Sequence, residues 1–339
     1  MPGFKRILLA FLLPLLVLTS CLADSRIELP LPVTSGDEGY GEIGDVGYEG
    51  AVGGSYGGTG DGVYEETVDG SHDATGDGDF WGDGQRIRVV DLSGEELWSF
   101  TQAELRAFPA EQSGAFAHAY STINNWPSAR YYVADGYSIE CILRVAGVLD
   151  TAQTVTFRSS DGYEVSLTRE QLLGERYFYP QVGENASDAE PVAPIIAYRW
   201  REGTIDLSEL RDDKPSLIFG QMNPNEHTNP AFVEDVAEII VDDSPCQTWE
   251  KASTFPLPGL IMEGETVKLQ HPSYGLVKLH YTLDSSDPTA SSPMYNPSTY
   301  QPELNVPIQI TDITVIKVLV TGYGKNDSEI AVFGFEPVP

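Results

Sequence analysis

The chain changes character abruptly near Ile87, and that break confines where it can fold. Residues 21–86 are dominated by Gly, Asp, Glu, Ser and Tyr, in runs such as Gly39-Tyr40-Gly41-Glu42 and Gly53-Gly54-Ser55-Tyr56-Gly57-Gly58. Such a stretch holds too little apolar surface to offset the entropy of ordering it. It reads as a disordered, self-repelling linker whose ends lie on the order of 45 Å apart. Folding is left to the residues after 86, which leave room for about two domains. Within the linker, Asp73, Asp77, Asp79 and Asp83 lie among glycines, as the acidic oxygens of a calcium loop do. The bidentate Glu such loops need at their end is missing and no helical flank adjoins, so these carboxylates read as solvated linker.

The N-terminus carries an export signal. Lys5 and Arg6 precede the short apolar run Ile7 to Leu18, which ends in Leu18-Thr19-Ser20-Cys21. A basic start, a short apolar stretch and small residues at the end make a secretory signal over residues 1–20, since a membrane span needs about 20 apolar residues. The last four residues resemble the bacterial lipobox. The resemblance implies cleavage before Cys21 and a diacylglyceride on its sulfur, whose two acyl chains suffice for stable anchoring. The chain is then exported and held at the outer face of a bacterial cell membrane, its membrane contact made through Cys21. An ordinary signal peptide with an incidental Cys21 is the other reading.

A net charge of −31 argues against a nucleic-acid partner, which would demand a surplus of Lys and Arg. It suits a solvated, exported surface. Of the three cysteines, Cys141 and Cys246 remain once Cys21 is set aside. In an oxidising compartment they either bridge or stay two half-buried thiols; spacing alone does not choose.

Residues 87–247 read as an α+β domain. Ile87 to Leu92 has strand character, and Thr101 with Glu104 has capping-box spacing for a short helix. Tyr131-Tyr132-Val133 reads as a strand, Asp135-Gly136-Tyr137 as a turn, and Ile139, Ile142, Leu143 and Val145 as one helix face that Gly147 ends. Thr154 to Ser159 alternates, Ser160-Asp161-Gly162-Tyr163 reverses the chain into Glu164 to Leu167, and Thr168 suits an N-cap. Ser216 to Gly220 reads as a buried strand, Phe232 to Val241 as a closing strand pair or bend.

The segments Phe100 to Leu105, Asp135 to Gly147, Val155 to Tyr163 and Leu217 to Gln221 together resemble the molybdopterin-binding domain of the sulfite oxidase family. That resemblance implies a cofactor held by a cysteine thiolate upstream of the helix near Ser138. Here Ala119 to Trp126 contains no cysteine, and neutral hydroxyls do not replace a soft thiolate. Cys141 lies inside the helix, where a free Cys acts as a small hydrophobe. His118 and His227 read as ordinary residues rather than ligands. The expectation is a scaffold without a cofactor, retained molybdopterin being the alternative. Gly-x-Ser-x-Gly, His-Glu-x-x-His and phosphate-loop motifs do not occur, so no catalytic residue is assigned. Ser121 and Asp161 are the candidate polar contacts for a ligand, although turn chemistry alone explains Asp161-Gly162.

Residues 248–339 have a different texture. Behind the Pro-rich hinge Phe255 to Gly259 come short alternating segments: Glu265 to Leu269, Val277 to Asp284, Ile308 to Ile310, Thr314 to Val320 and Ile330 to Phe335. The run His280-Tyr281-Thr282-Leu283-Asp284 with Asp287-Pro288-Thr289, followed by Tyr295 and Pro307-Ile308, resembles the β-sandwich appended to chitobiases. The resemblance implies an immunoglobulin-like, all-β domain without catalytic residues of its own, with Ser285 standing where a Gly is common. Tyr281, Tyr295, Tyr300 and Tyr323 could offer stacking faces to sugars, with core packing favoured for the first two. The functional expectation is a non-catalytic surface lipoprotein that binds or displays. Its ligand class is an envelope polymer, a glycan or a protein; an oxidoreductase retaining a pterin and a glycan-binding accessory protein are the alternatives.

Overall fold

The computed structural model describes residues 85–108, 116–183, 187–298 and 300–339. The export signal, Cys21 and the acidic run Asp73 to Asp83 lie outside the described residues.

The first module holds two main sheets. The five-stranded one contains β1 (Ile87–Asp91), β2 (Glu96–Phe100), β5 (Thr154–Ser159), β6 (Glu164–Thr168) and β11 (Val236–Asp242), in the order β2-β1-β11-β5-β6. Only the β1–β11 pair is parallel. The four-stranded sheet is antiparallel, β10-β9-β4-β3, from β3 (Phe116–Ile123), β4 (Ala129–Ser138), β9 (Ile195–Glu202) and β10 (Asp212–Ile218). A small ribbon, β7 (Tyr177–Phe178) with β8 (Glu190–Pro191), completes the set.

Helices are few and short: α1 (Gln102–Arg106), α2 (Ile139–Val145) and α3 (Arg169–Leu173). Strands therefore dominate even this module. Thr101 caps α1 and Thr168 caps α3, each in a reciprocal capping box with Glu104 and Gln171. Each cap contributes about 1 kcal/mol to helices too short to stand alone. Gly147 ends α2 with φ +75, where a side chain would strain the backbone.

One sequence expectation fails instructively. Asp135-Gly136 is not a turn: β4 runs through it to Ser138, and the register against β9 shifts there as a bulge. The glycine is required because a Cβ at 136 would stand 2.3 Å from the carbonyl oxygen of Ile196. Close approach of two strands, not chain reversal, explains the residue. Likewise, Phe232 to Val241 contributes one strand, β11, entered through Asp235 at φ 55.

Two apolar cores lie on either side of the four-stranded sheet. Ile87, Phe100, Ile139, Leu143, Phe157, Leu172, Ile196 and Phe219 belong to the larger, between the sheets and helices. Tyr120, Tyr132, Ala134, Phe178, Ile195 and Ile218 form the smaller, on the other face under the β7–β8 ribbon. Each fully buried large apolar side chain contributes about 1.5–3 kcal/mol.

The second module is a β-sandwich. Its three-stranded sheet is β12-β14-β16, from β12 (Ser253–Phe255), β14 (Thr266–Gln270) and β16 (Ile308–Gln309). Its four-stranded sheet is β13-β18-β17-β15, from β13 (Gly259–Met262), β15 (Val277–Thr282), β17 (Thr314–Gly322) and β18 (Ala331–Val338). Alternation decides the inward faces: Val267 and Leu269 of β14 and Ile316, Val318 and Val320 of β17 are buried, while Thr266, Lys268 and Gln270 are exposed. Ser285 takes φ 68 at its turn, the left-handed conformation a glycine adopts more cheaply.

Candidate functional site

The region where the resemblance would place a thiolate is closed. Ser121, in the middle of β3, has no exposed surface. Its hydroxyl donates to Gln221 Oε1 at 2.7 Å and accepts from the Tyr179 backbone N–H at 2.8 Å. Gln221 in turn donates through Nε2 to the Glu226 carbonyl at 2.9 Å. On either side, the Tyr120 hydroxyl donates to the Ala193 carbonyl at 2.9 Å and the Thr228 hydroxyl to Thr122 Oγ1 at 2.6 Å. These polar groups satisfy one another inside the protein, as buried groups must.

Asp161 sits elsewhere, at the tip of the β5–β6 hairpin. Its Oδ1 accepts from the Tyr163 N–H at 3.0 Å, and that backbone bond holds its pKa below the usual carboxylate value. Ser121 and Asp161 thus occupy different sheets with different partners, and the structure does not bring them together.

The cysteines are free thiols rather than a bridge. Cys141 lies on α2 with Arg144 Nη1 3.5 Å from its sulfur. The Cys246 thiol donates to the Gln153 carbonyl at 3.1 Å and sits 3.3 Å from Thr154 Oγ1. Of the two states the spacing left open, the structure shows separate thiols, each sulfur beside a different element. His118 lies in β3, its ring near Ala119 O and Glu190.

Sequence reasoning missed how tightly the modules join. Gln171, the capping residue of α3, donates through Nε2 to the Gly322 carbonyl at 2.7 Å and accepts through Oε1 from the Gly324 N–H at 3.0 Å. Between those residues, Tyr323 reaches into the first module. Its hydroxyl donates to Glu226 Oε1 at 3.0 Å, and its ring meets Phe219 edge-on with centroids 6.1 Å apart. Burial raises the phenol pKa well above its usual value, so Tyr323 is a permanent donor here.

Glu226 also pairs at 3.3 Å with Arg176, whose side chain is wholly buried. Arg176 donates to the carbonyls of Gln171 and Gly220, each at 2.7 Å, and lies 4.6 Å over the Phe219 ring. An arginine spent on carbonyls and one carboxylate is a structural centre. Its only sequence signal was a basic residue just past a short helix.

Basic groups crowd the same junction. His227 is buried with Nδ1 unpartnered, and its pKa falls to about 3, mainly through burial and then through Lys278 and His280. Lys278 donates to the carbonyls of Asn296 and Pro297 at 3.3 and 3.1 Å, and burial lowers its pKa to about 8. His280 lies between Ser292 O and Thr321 Oγ1. At another point on the junction, the Ser298 hydroxyl donates to the Asn125 carbonyl at 2.6 Å, and Trp126 stacks on Tyr300.

Three clefts open elsewhere. One of about 660 Å³ in the sandwich is lined by Tyr274, Tyr295, His271, Asn305 and prolines. A second, about 490 Å³, lies by Leu172, Tyr177 and Pro194. The third, about 500 Å³, collects Arg86, Arg88 and Arg158. Its guanidinium groups are engaged: Arg158 pairs with Glu238 at 2.5 Å, Arg88 with the same carboxylate, and Arg86 with Glu104 at 3.1 Å. That cleft is a neutralised ion-pair surface. Among the described residues, no group of three or more His, Cys, Asp or Glu is arranged to hold a metal ion.

Of the four tyrosines raised as sugar platforms, Tyr295 is buried in the sandwich core with Tyr281 edge-on to it. Tyr323 is consumed by the junction. Tyr300 alone stands out, 65% exposed.

Residues 267–335 match the family model described as Fn3 associated. The match runs from β14 into β18, and so covers most of the sandwich. No curated protein matches the chain.

Proposed function

We infer that this chain is a non-catalytic binding or display protein, exported and held by a lipid on Cys21 at the outer face of a bacterial cell membrane. Its ligand is an envelope polymer, a glycan or a protein. The observation that carries the reading is the closed node at Ser121. A pterin-bound metal would need a thiolate and open space there, and the residues present supply a hydroxyl already held by Gln221 and Tyr179. The residues do not fit molybdopterin. The sulfite-oxidase-like ancestry of the first module rests on sequence resemblance alone, as does the chitobiase-like character of the second. The tight junction adds support, because Tyr323 and Gln171 tie the two modules to each other.

Metal analysis of the purified chain tests the absence of redox chemistry. Molybdenum well below one per chain is expected, and near one per chain overturns the reading. Fractionating cells that express Cys21→Ser tests the anchor. The variant is expected to leave the membrane fraction, and if it stays there as the wild type does, the lipid is not on Cys21.

A further inference from the structure

We propose that Trp126 and Tyr300 form a preorganised stacking platform for the sugar rings of a neutral polysaccharide. The proposal rests on the reading of the chain as a binding protein and names the ligand class and the surface.

The rings come from different modules and meet in water. Trp126 belongs to the β3–β4 loop, and Tyr300 precedes the 3₁₀ turn Pro302–Leu304. They are 57% and 65% exposed, with centroids 6.0 Å apart and planes only 13° from parallel. Two large aromatic side chains left in solvent side by side oppose the hydrophobic effect, and contiguous exposed apolar surface marks interaction sites.

Their backbones are tied by hydrogen bonds although the rings are not buried. Ser298, 1% exposed, is the tie. Its oxygen accepts from the Tyr300 and Gln301 N–H groups at 3.1 and 2.9 Å, and its hydroxyl donates across the junction to Asn125 O at 2.6 Å. On the other side, Asn124 Oδ1 accepts from the Trp126 N–H at 3.0 Å, the Ser128 N–H at 3.2 Å and the Ser128 hydroxyl at 3.0 Å. One buried hydroxyl and one buried amide thus hold both ring-bearing segments before any ligand arrives. Preorganisation of this kind lowers the entropic cost of binding.

The ligand class follows from charge and shape. At −31, the chain repels nucleic acids and other polyanions, so these rings are not a base-stacking surface. The cation–π contacts found lie on Tyr198, Phe219 and Trp249 instead. What fits the outward face of a stacked aromatic pair is a ring with an apolar face and a hydroxyl rim. The half-buried amide residues Asn125 and Gln301, next in sequence to the two rings, provide donors and acceptors for such a rim.

The test is affinity electrophoresis of the full chain in detergent through gels containing β-glucan, galactomannan, xylan or polygalacturonate, with sedimentation on cellulose and chitin. Retention by at least one neutral polysaccharide is expected. Trp126→Ala and Tyr300→Ala should each weaken it by about tenfold or more. Trp126→Phe and Tyr300→Phe, which keep a stacking face, should restore most of it, and thermal melting separates binding loss from misfolding. Retention unchanged in both alanine variants overturns the platform while leaving a binding protein. Retention by none of the neutral probes, or by polygalacturonate alone, also overturns it. The broader reading fails separately, through bound molybdenum.

Discussion

The two sheet systems bury their faces differently. In the sandwich, β14 and β17 alternate between the core and a more open face, and only β15, where Lys278 and His280 meet the junction, is covered on its second face as well. In the first module, the four-stranded sheet is covered on both faces by separate cores, and β3 buries Tyr120, Ser121 and Thr122 consecutively. A polar residue in a half-buried strand is ordinary surface. In a doubly covered strand it must find protein partners, and then it looks functional in sequence while serving structure.

The largest test of this contrast is Arg176→Ala. It leaves Glu226 and two carbonyls without their buried donor, and a loss of about 3–5 kcal/mol is expected in denaturant unfolding. A loss under about 1 kcal/mol would mean the first module does not depend on its buried polar centre. Acid should act next most strongly, at the junction. The folded-state pKa of His227, about 3, lies below its ordinary 6.5, so the unfolded chain binds the proton first. This contribution to stability is complete above about pH 6.5 and is lost as pH falls toward 3, by a few kcal/mol in all. Lys278 and His280 face the ring and add to the repulsion once it is charged. In His227→Gln, unfolding measured from pH 7 to pH 4 should show a flatter decline; an unchanged slope assigns acid sensitivity to other groups.

Ser121→Ala should cost about 1–3 kcal/mol, because Gln221 and the Tyr179 N–H lose a buried partner. Thr266→Ala, on the water-facing side of β14, should stay within about 0.5 kcal/mol by the same thermal or chemical unfolding measurement. Equal effects at the two sites would erase the distinction between doubly and singly covered sheets. Smallest among the damaging changes, Thr101→Ala should remove about 1 kcal/mol through loss of the α1 cap.

Legibility follows the same contrast. Five of the seven sandwich strands, β14 to β18, the capping boxes at Thr101 and Thr168 and the hairpin at Ser160 to Tyr163 were readable because each depends on neighbours a few residues away or on exposure to water. By contrast, β12 and β13 lay hidden in what read as a Pro-rich hinge. β3 and β9 escaped notice because burial on both faces removes alternation. Asp135-Gly136 misled because glycine marks both turns and close approaches. Of the candidate site, Tyr300 was among the aromatics singled out, whereas Trp126 gave no signal until the two loops met.

Periodicity, capping chemistry, charge and the composition break near Ile87 were set by the sequence alone, since each acts over a turn or a strand. Tertiary structure alone decided that Ser121 is sealed, that Gln171 and Tyr323 fasten the modules, and that two rings share a surface. Asn125 and Ser298 are 173 positions apart, and no local rule reaches that far. Their meeting depends on the closure of both cores, which sets which polar groups lose water and must find each other.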